Sequence, residues 1–342
     1  MPSGRYDDIP LRWDDAGWYR TMLRQLRYGM GLKNRGAMAD VIAKTIRETC
    51  RLQSPKPSKP EIREAIAAEL RNDGVCRPGS LLDGDAVART RAVMDKAPLS
   101  DAATGNRTFA RDEALGSVNV GTVDERAGLS ACEELLVAAN HPSILAGVEA
   151  FLGAPPTVQY YTAWWSFAGR TAAREAQLFH YDRNCFRFVK LFIYLTDVDE
   201  THGPHVYVRG SANVADWMRR LEHAKRADPD NAERFLAMIN AVRKNDQDVE
   251  EFFGRDRIET LTGRAGEAFL VDTSGIHKGL LPEQADRLVF QATYALLPML
   301  KEPARPVPMP RLAEACDTRY RDALDREYLA YVNRIAVCDQ AG

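Results

Sequence analysis

The sequence predicts an α+β protein built on an antiparallel β core, a sandwich or barrel, flanked by helices and interrupted by one helical insertion. Three observations carry this. From Thr157 onward, short runs rich in Val, Phe, Tyr, Trp and Thr recur (VQYYTAWWSF, FRFVKLFIYLT, HVYVRG, EAFLVDT, RLVFQATYALL), with turns such as 199–204 between them. The segment 213–263, between the third and fourth runs, has helical spacing and many charges. The 342 residues are 45% hydrophobic, enough apolar material for one large domain or two ordinary ones.

Taken in order, residues 18–51 are expected to be helical. Tyr19, Met22 and Leu26 and, past a glycine-containing break, Met38, Ile42 and Ile46 recur at spacings of three to four. SPKPSKP at 54–60 stops any helix and reads as a short stiff linker, so 1–60 form an N-terminal helical extension. EIREAIAAELRNDG predicts a helix with Ile62, Ile66 and Leu70 on one face and Gly74 at its C-terminal cap. A further helix is expected over 133–151, starting near His141 or before it. The insertion 213–263 is expected to cover a face or a mouth, as a lid. The tail 301–342 predicts a helix over 319–337, with Tyr320, Leu324, Tyr328 and Ile335 on one side. The catalytic domain then spans 61–300.

Charge and composition exclude several classes. Lys+Arg 46 against Asp+Glu 48 leaves a net charge of −2, without the basic excess of a nucleic-acid binder. Six scattered cysteines with no CxxC pair read as reduced thiols, which points to the cytoplasm. MPSGRYDDIPLRWDD lacks the apolar core of a secretory signal, and the uncharged stretch 151–169 is too polar for a membrane span.

Six histidines are few enough to weigh one by one. His180 and Asp182 form H-x-D at the end of one β-like region, and His277 follows the run EAFLVDT. Two imidazoles and one carboxylate form the facial triad of non-haem Fe(II) oxygenases, which leaves three metal positions open. Arg287 follows His277 by ten residues on an alternating run, where its guanidinium can pair with a carboxylate near the metal. His202 and His205 flank Gly203-Pro204 and read as surface or supporting residues, and His223 as solvated. Lys190 and Arg187 close behind the H-x-D can bind an anionic co-substrate or substrate, or simply face solvent. Trp164 can stack on a substrate ring or pack in the core.

The segments FHYDRNCFRFVKLFIYLTDVDETHGPHVYVRGSA and GEAFLVDTSGIHKGLLPEQADRLVFQATY resemble the phytanoyl-CoA dioxygenase family of Fe(II)/2-oxoglutarate-dependent oxygenases. The resemblance is specific over 159–297 and extends loosely back to LRNDGVCRPGSLLD. It implies a double-stranded β-helix, or jelly roll, with His180, Asp182 and His277 as Fe(II) ligands and Arg287 on the distal carboxylate of 2-oxoglutarate. It also makes Gln159 a candidate co-substrate contact, beside Lys190, whose place behind the H-x-D already suggests one. Ala212 stands where family members often carry a His after Ser211. Because related halogenases lack the carboxylate, Asp182 makes hydroxylation or another oxidation of an unactivated C–H bond the expected outcome.

Two other classes compete: a cupin-like metal enzyme that ignores 2-oxoglutarate, and a catalytically silent scaffold. Arg287 opposes the first, the intact triad the second. The expected partner is a polar small molecule of bacterial specialised or cell-surface metabolism, with Trp164 and Arg187 as contacts. The reading includes no nucleic acid or membrane span and admits a homodimer.

Overall fold

A computed structural model describes residues 29–104, 108–298, 307–308, 312–334 and 337–338. Its core strands are β1 (Val75–Ser80), β2 (Leu99–Asp101), β3 (Thr108–Phe109), β4 (Val120–Val123), β5 (Thr157–Ser166), β6 (Phe188–Tyr194), β7 (His205–Val208), β8 (Ile258–Leu261), β9 (Glu267–Val271), β10 (His277–Gly279) and β11 (Arg287–Ala295). Among the described residues these form an antiparallel sheet in the order β1-β9-β6-β11-β5-β4-β2-β3 and a smaller one in the order β10-β7-β8. Several neighbours, β1-β9, β9-β6, β6-β11, β11-β5 and β10-β7, are distant in sequence, as a jelly roll requires. One cavity takes side chains from both sheets, Lys190 and Trp164 from the larger and His205 and His277 from the smaller.

The alternation of the large sheet decides which residues reach that cavity, because successive side chains of a strand point to opposite faces. On β5, Tyr160, Thr162, Trp164 and Ser166 line it. Their neighbours Tyr161, Ala163 and Trp165 are buried in the main apolar core. There they meet the helix Pro60–Asn72, through Ile66 and Leu70, and the helix Pro142–Leu152, through Leu145 and Val148. The expected C-cap is present: Gly74 has φ +80, and a Cβ on it would collide with the Tyr207 hydroxyl.

Several expected elements are broken. The helix expected over 133–151 is two, Glu133–Ala139 and Pro142–Leu152, bent by 45°. Pro142 cannot continue the first helix, and His141 caps the second by accepting the Ser143 N–H on Nδ1 at 3.1 Å. Of the tail helix expected over 319–337, Arg319 and Tyr320 end an earlier helix, Leu312–Tyr320, and a second, Arg326–Asn333, is opened by the Asp325 carboxylate. Of the N-terminal helix, Leu32–Thr49 is described, and Met38, Ile42 and Ile46 pack on the main core as expected. Tyr19, Met22, Leu26 and Ile335 lie outside the described residues. The linker is docked rather than free, with Pro55 buried and the Lys56 N–H bonded to the Ala323 carbonyl at 2.8 Å.

The insertion forms three helices, Val214–Ala227, Pro229–Asn240 and Asp246–Phe253. Their apolar faces, with Trp217, Phe235, Val249 and Phe253, close over Val206, Val208 and Ile276. They therefore back the outer face of the small sheet, and only Arg243 of the insertion reaches the cavity wall. Among the described residues no single helix is long and apolar enough to cross a membrane; the bent pair at 133–152 passes by composition and is buried in the core.

Candidate active site

The centre of the site is a short antiparallel pairing. The backbones of His180 and His277 exchange hydrogen bonds of 2.9 and 2.8 Å, so their side chains stand side by side with ring centroids 4.3 Å apart. Two residues on, the Asp182 N–H donates to the Thr273 carbonyl at 2.7 Å, a second tie between the same two segments, and the carboxylate lies beside both rings. Residues distant in sequence thus meet because two backbone segments pair, and H-x-D supplies two ligands from one segment because its ends share a face.

Each imidazole is oriented from behind. His180 Nδ1 lies 2.9 Å from the Leu178 carbonyl and His277 Nδ1 lies 2.9 Å from the Gly275 carbonyl. A carbonyl only accepts, so Nδ1 carries the proton in both rings and Nε2 presents its lone pair. Nε2 of His180 is 3.8 Å from Asp182 Oδ1, and Nε2 of His277 is 3.6 Å from Oδ2. One ligand atom from each residue lies within 4.8 Å of the others. Two neutral imidazole nitrogens and a carboxylate oxygen suit a divalent first-row metal with positions left open.

The electrostatics keep these groups in the ligating state. Burial and the His180 ring push the His277 imidazole down to about 3, against the opposing pull of Asp182. Burial also lowers His180. For Asp182, burial acts to raise the carboxyl, but the Lys190 ammonium and the two imidazoles outweigh it and hold it well below the usual carboxylate range. Lys190 Nζ donates to Asp182 Oδ2 at 2.6 Å. Burial opposes that charge, yet Asp182 keeps the amine above its ordinary value.

A cavity of about 670 Å³ is lined both by this cluster and by Arg287. Arg287 begins β11 opposite Ser166 of β5, donates to the Ser166 hydroxyl at 3.0 Å and also bonds the Gly203 carbonyl. It is buried, it forms no ion pair with a carboxylate among the described residues, and its Nε has no partner. Burial lowers this guanidinium, though not enough to release its proton. A buried, unpaired guanidinium asks for an anion, and a dicarboxylate reaching from metal to arginine supplies one.

Of the residues singled out in the sequence, the cavity brings together His180, Asp182, His277, Arg287, Lys190 and Trp164. Two it does not. Gln159 lies where β5 slips register against β11, Tyr160 facing Thr293 and Val158 facing Tyr294, and its amide donates to the Leu297 carbonyl at 2.8 Å instead. Arg187 points to the helix Leu32–Thr49, binding Asp40 at 2.7 Å and the Leu152 carbonyl at 3.1 Å. The turn histidines separate: His202 pairs with Asp199 at the surface, while His205 is buried in the cavity wall. Missed altogether were Tyr160, Thr162, Ser166 and Gln291, although the alternation that places Trp164 and Arg287 inward places them there too.

A family model described as phytanoyl-CoA dioxygenase (PhyH) matches residues 70–280. No curated protein matches the chain. Among solved structures, the chain is similar to the alpha-ketoglutarate-dependent epimerase SnoN from nogalamycin biosynthesis, at 17% identity and TM-score 0.44, over 69% of this chain and 84% of that one. It is similar also to the carbocyclase SnoK of the same biosynthesis, at 19% identity and TM-score 0.44, over 70% and 86%. A third is HygX from Streptomyces hygroscopicus, solved with nickel and 2-oxoglutarate bound, at 15% identity and TM-score 0.43, over 69% and 87%. Likeness at this level says nothing of the substrate.

Proposed function

The chain belongs to the phytanoyl-CoA dioxygenase family, and from that premise we propose that it oxidises an unactivated C–H bond of a polar small molecule, with His180, Asp182 and His277 holding Fe(II) and Arg287 holding 2-oxoglutarate. Family membership makes it an oxidoreductase that uses iron and 2-oxoglutarate. The observation that supports the assignment of residues is the buried Arg287 without a carboxylate partner among the described residues, in the wall of the cavity that the His-Asp-His cluster also lines. A metal enzyme that ignores 2-oxoglutarate has no use for such a cation.

When bound, iron and 2-oxoglutarate together activate O₂ for attack on the substrate, and the co-substrate leaves as succinate and CO₂. The chain's own part is to position. The Leu178 and Gly275 carbonyls hold both Nε2 lone pairs toward the cavity. Lys190 occupies one oxygen of Asp182, which favours ligation through the other and leaves further positions open. Trp164, standing edge-on to Phe192 with ring centroids 6.3 Å apart, offers the substrate an aromatic wall.

Anaerobic titration with Fe(II) and 2-oxoglutarate tests this. The expected result is a weak visible charge-transfer band, followed by succinate once O₂ is admitted. No band and no succinate would overturn the reading.

A further inference from the structure

We propose that His205 is a further residue of the co-substrate site, donating a hydrogen bond from Nε2 to bound 2-oxoglutarate; this rests on the reading above that the cavity takes that molecule. His205 opens β7 and sits directly across from Gly279 of β10, two residues beyond His277. Opposed residues of an antiparallel pair share a face, and Gly279 lines the cavity. Val206, the next residue of β7, goes the other way, into the core of the insertion.

The position connects the two ends of the cavity. The His205 ring is stacked on that of His277, with centroids 5.3 Å apart at 17°, and lies 5.1 Å from that of Phe192. Gly279, its partner across the register, adjoins Arg287: a Cβ there would stand 3.3 Å from a guanidinium nitrogen. His205 therefore stands in the cavity wall between the metal cluster and Arg287, beside a molecule that reaches from one to the other.

Only 8% of His205 is exposed, yet its Nε2 has no hydrogen-bond partner. Buried polar atoms of native folds are almost always satisfied, so a ligand is the natural source of the missing partner. 2-Oxoglutarate offers two carboxylates and a keto group, all acceptors. The imidazole must then be the donor, in its neutral Nε2–H form, and no change of charge is involved.

The test uses the full chain loaded with Ni(II) in place of iron, with 2-oxoglutarate affinity measured by calorimetry. His205→Phe keeps a stacked ring and removes the donor, His205→Leu removes both, and His205→Gln restores an N–H donor. The Phe and Leu variants should each lose about tenfold in 2-oxoglutarate affinity. The Gln variant should recover most of that loss, and Ni(II) alone should bind all three as it binds the wild type. Wild-type affinity for 2-oxoglutarate in the Phe or Leu variant overturns the proposal. So does an equal loss in the Gln variant, or a parallel loss of Ni(II), since either makes the ring a support of the metal cluster. If the nickel-loaded wild type takes no 2-oxoglutarate at all, the reading of the cavity itself fails, which is distinguishable from the failure of His205 alone.

Discussion

The two ends of the cavity differ in how far the chain satisfies its own polar groups. At the metal end, both histidines give Nδ1–H to backbone carbonyls at 2.9 Å, and Asp182 receives the Lys190 ammonium at 2.6 Å. At Arg287 there are a backbone carbonyl and a serine hydroxyl but no carboxylate, and its Nε has no partner; His205, between Arg287 and the metal cluster, also leaves its Nε2 without one. The difference separates two kinds of site. Ligands to a metal must be oriented before the metal arrives, because loosely held side chains lose affinity in being ordered. A co-substrate that binds and leaves in each cycle is better met by groups whose best partner comes with it.

The most severe way to break this contrast is at the self-satisfied end. Asp182→Ala removes a candidate ligand and leaves Lys190 buried beside two imidazoles without its counter-charge. We expect Ni(II) affinity to fall by about 100-fold or more and succinate formation to disappear. Calorimetry with Ni(II) and a succinate assay check both, and wild-type metal affinity in this variant would remove Asp182 from the site.

At the other end, Arg287→Met should spare the metal and strike the co-substrate. Losing a charge-assisted contact to a carboxylate should raise the 2-oxoglutarate requirement about 10- to 100-fold, with Ni(II) affinity unchanged. An unchanged requirement would make Arg287 a structural bridge between Gly203 and Ser166. Metal loading gives a smaller effect on the whole molecule. Ni(II) at about 100 times its Kd should stabilise the fold by about 2.7 kcal/mol, a rise of several degrees in Tm that Asp182→Ala should not show. A rise of the same size in both proteins would place the metal elsewhere.

What was legible in the sequence follows the same division. His180, Asp182 and His277 could be read because few histidines exist and H-x-D has a chemical reason for its spacing. Arg287 could be read because it sits on an alternating run ten residues after His277, whereas for Trp164 the sequence leaves a choice between substrate wall and core, which strand alternation decides once the sheet is known. Gln159 comes instead from the family resemblance, and alternation counted back from Trp164 already sets it on the face opposite Tyr160, Thr162 and Trp164, away from the cavity. Arg187 is suggested only by its place behind H-x-D; it precedes β6 and, one residue out of step with Lys190 and Phe192, points away from their face. The insertion was legible as helices and as a cover for a face or a mouth, but not as backing the small sheet's outer face instead of closing over the cavity as a lid. Its apolar residues show that it must cover something, while the surface left bare, Val206, Val208 and Ile276, exists only once the small sheet has formed.

Arg187 also gives the smallest expected effect, and one that sharpens the contrast by lying outside it. Its partner Asp40 is on the helix Leu32–Thr49, and the pair is solvent-accessible, with side chains 25% and 71% exposed. Such a pair contributes about 0–1 kcal/mol, because water screens the charges and two long side chains must be ordered. The second contact, to the Leu152 carbonyl, ties the same arginine to the end of the helix Pro142–Leu152. Arg187→Ala should therefore lower Tm by no more than about 3 °C. Affinities for Ni(II) and 2-oxoglutarate should stay as in the wild type, because neither end of the cavity depends on it. A weakened substrate KM with an unchanged Tm would reverse this assignment and return Arg187 to the substrate-binding role its position after H-x-D first suggested.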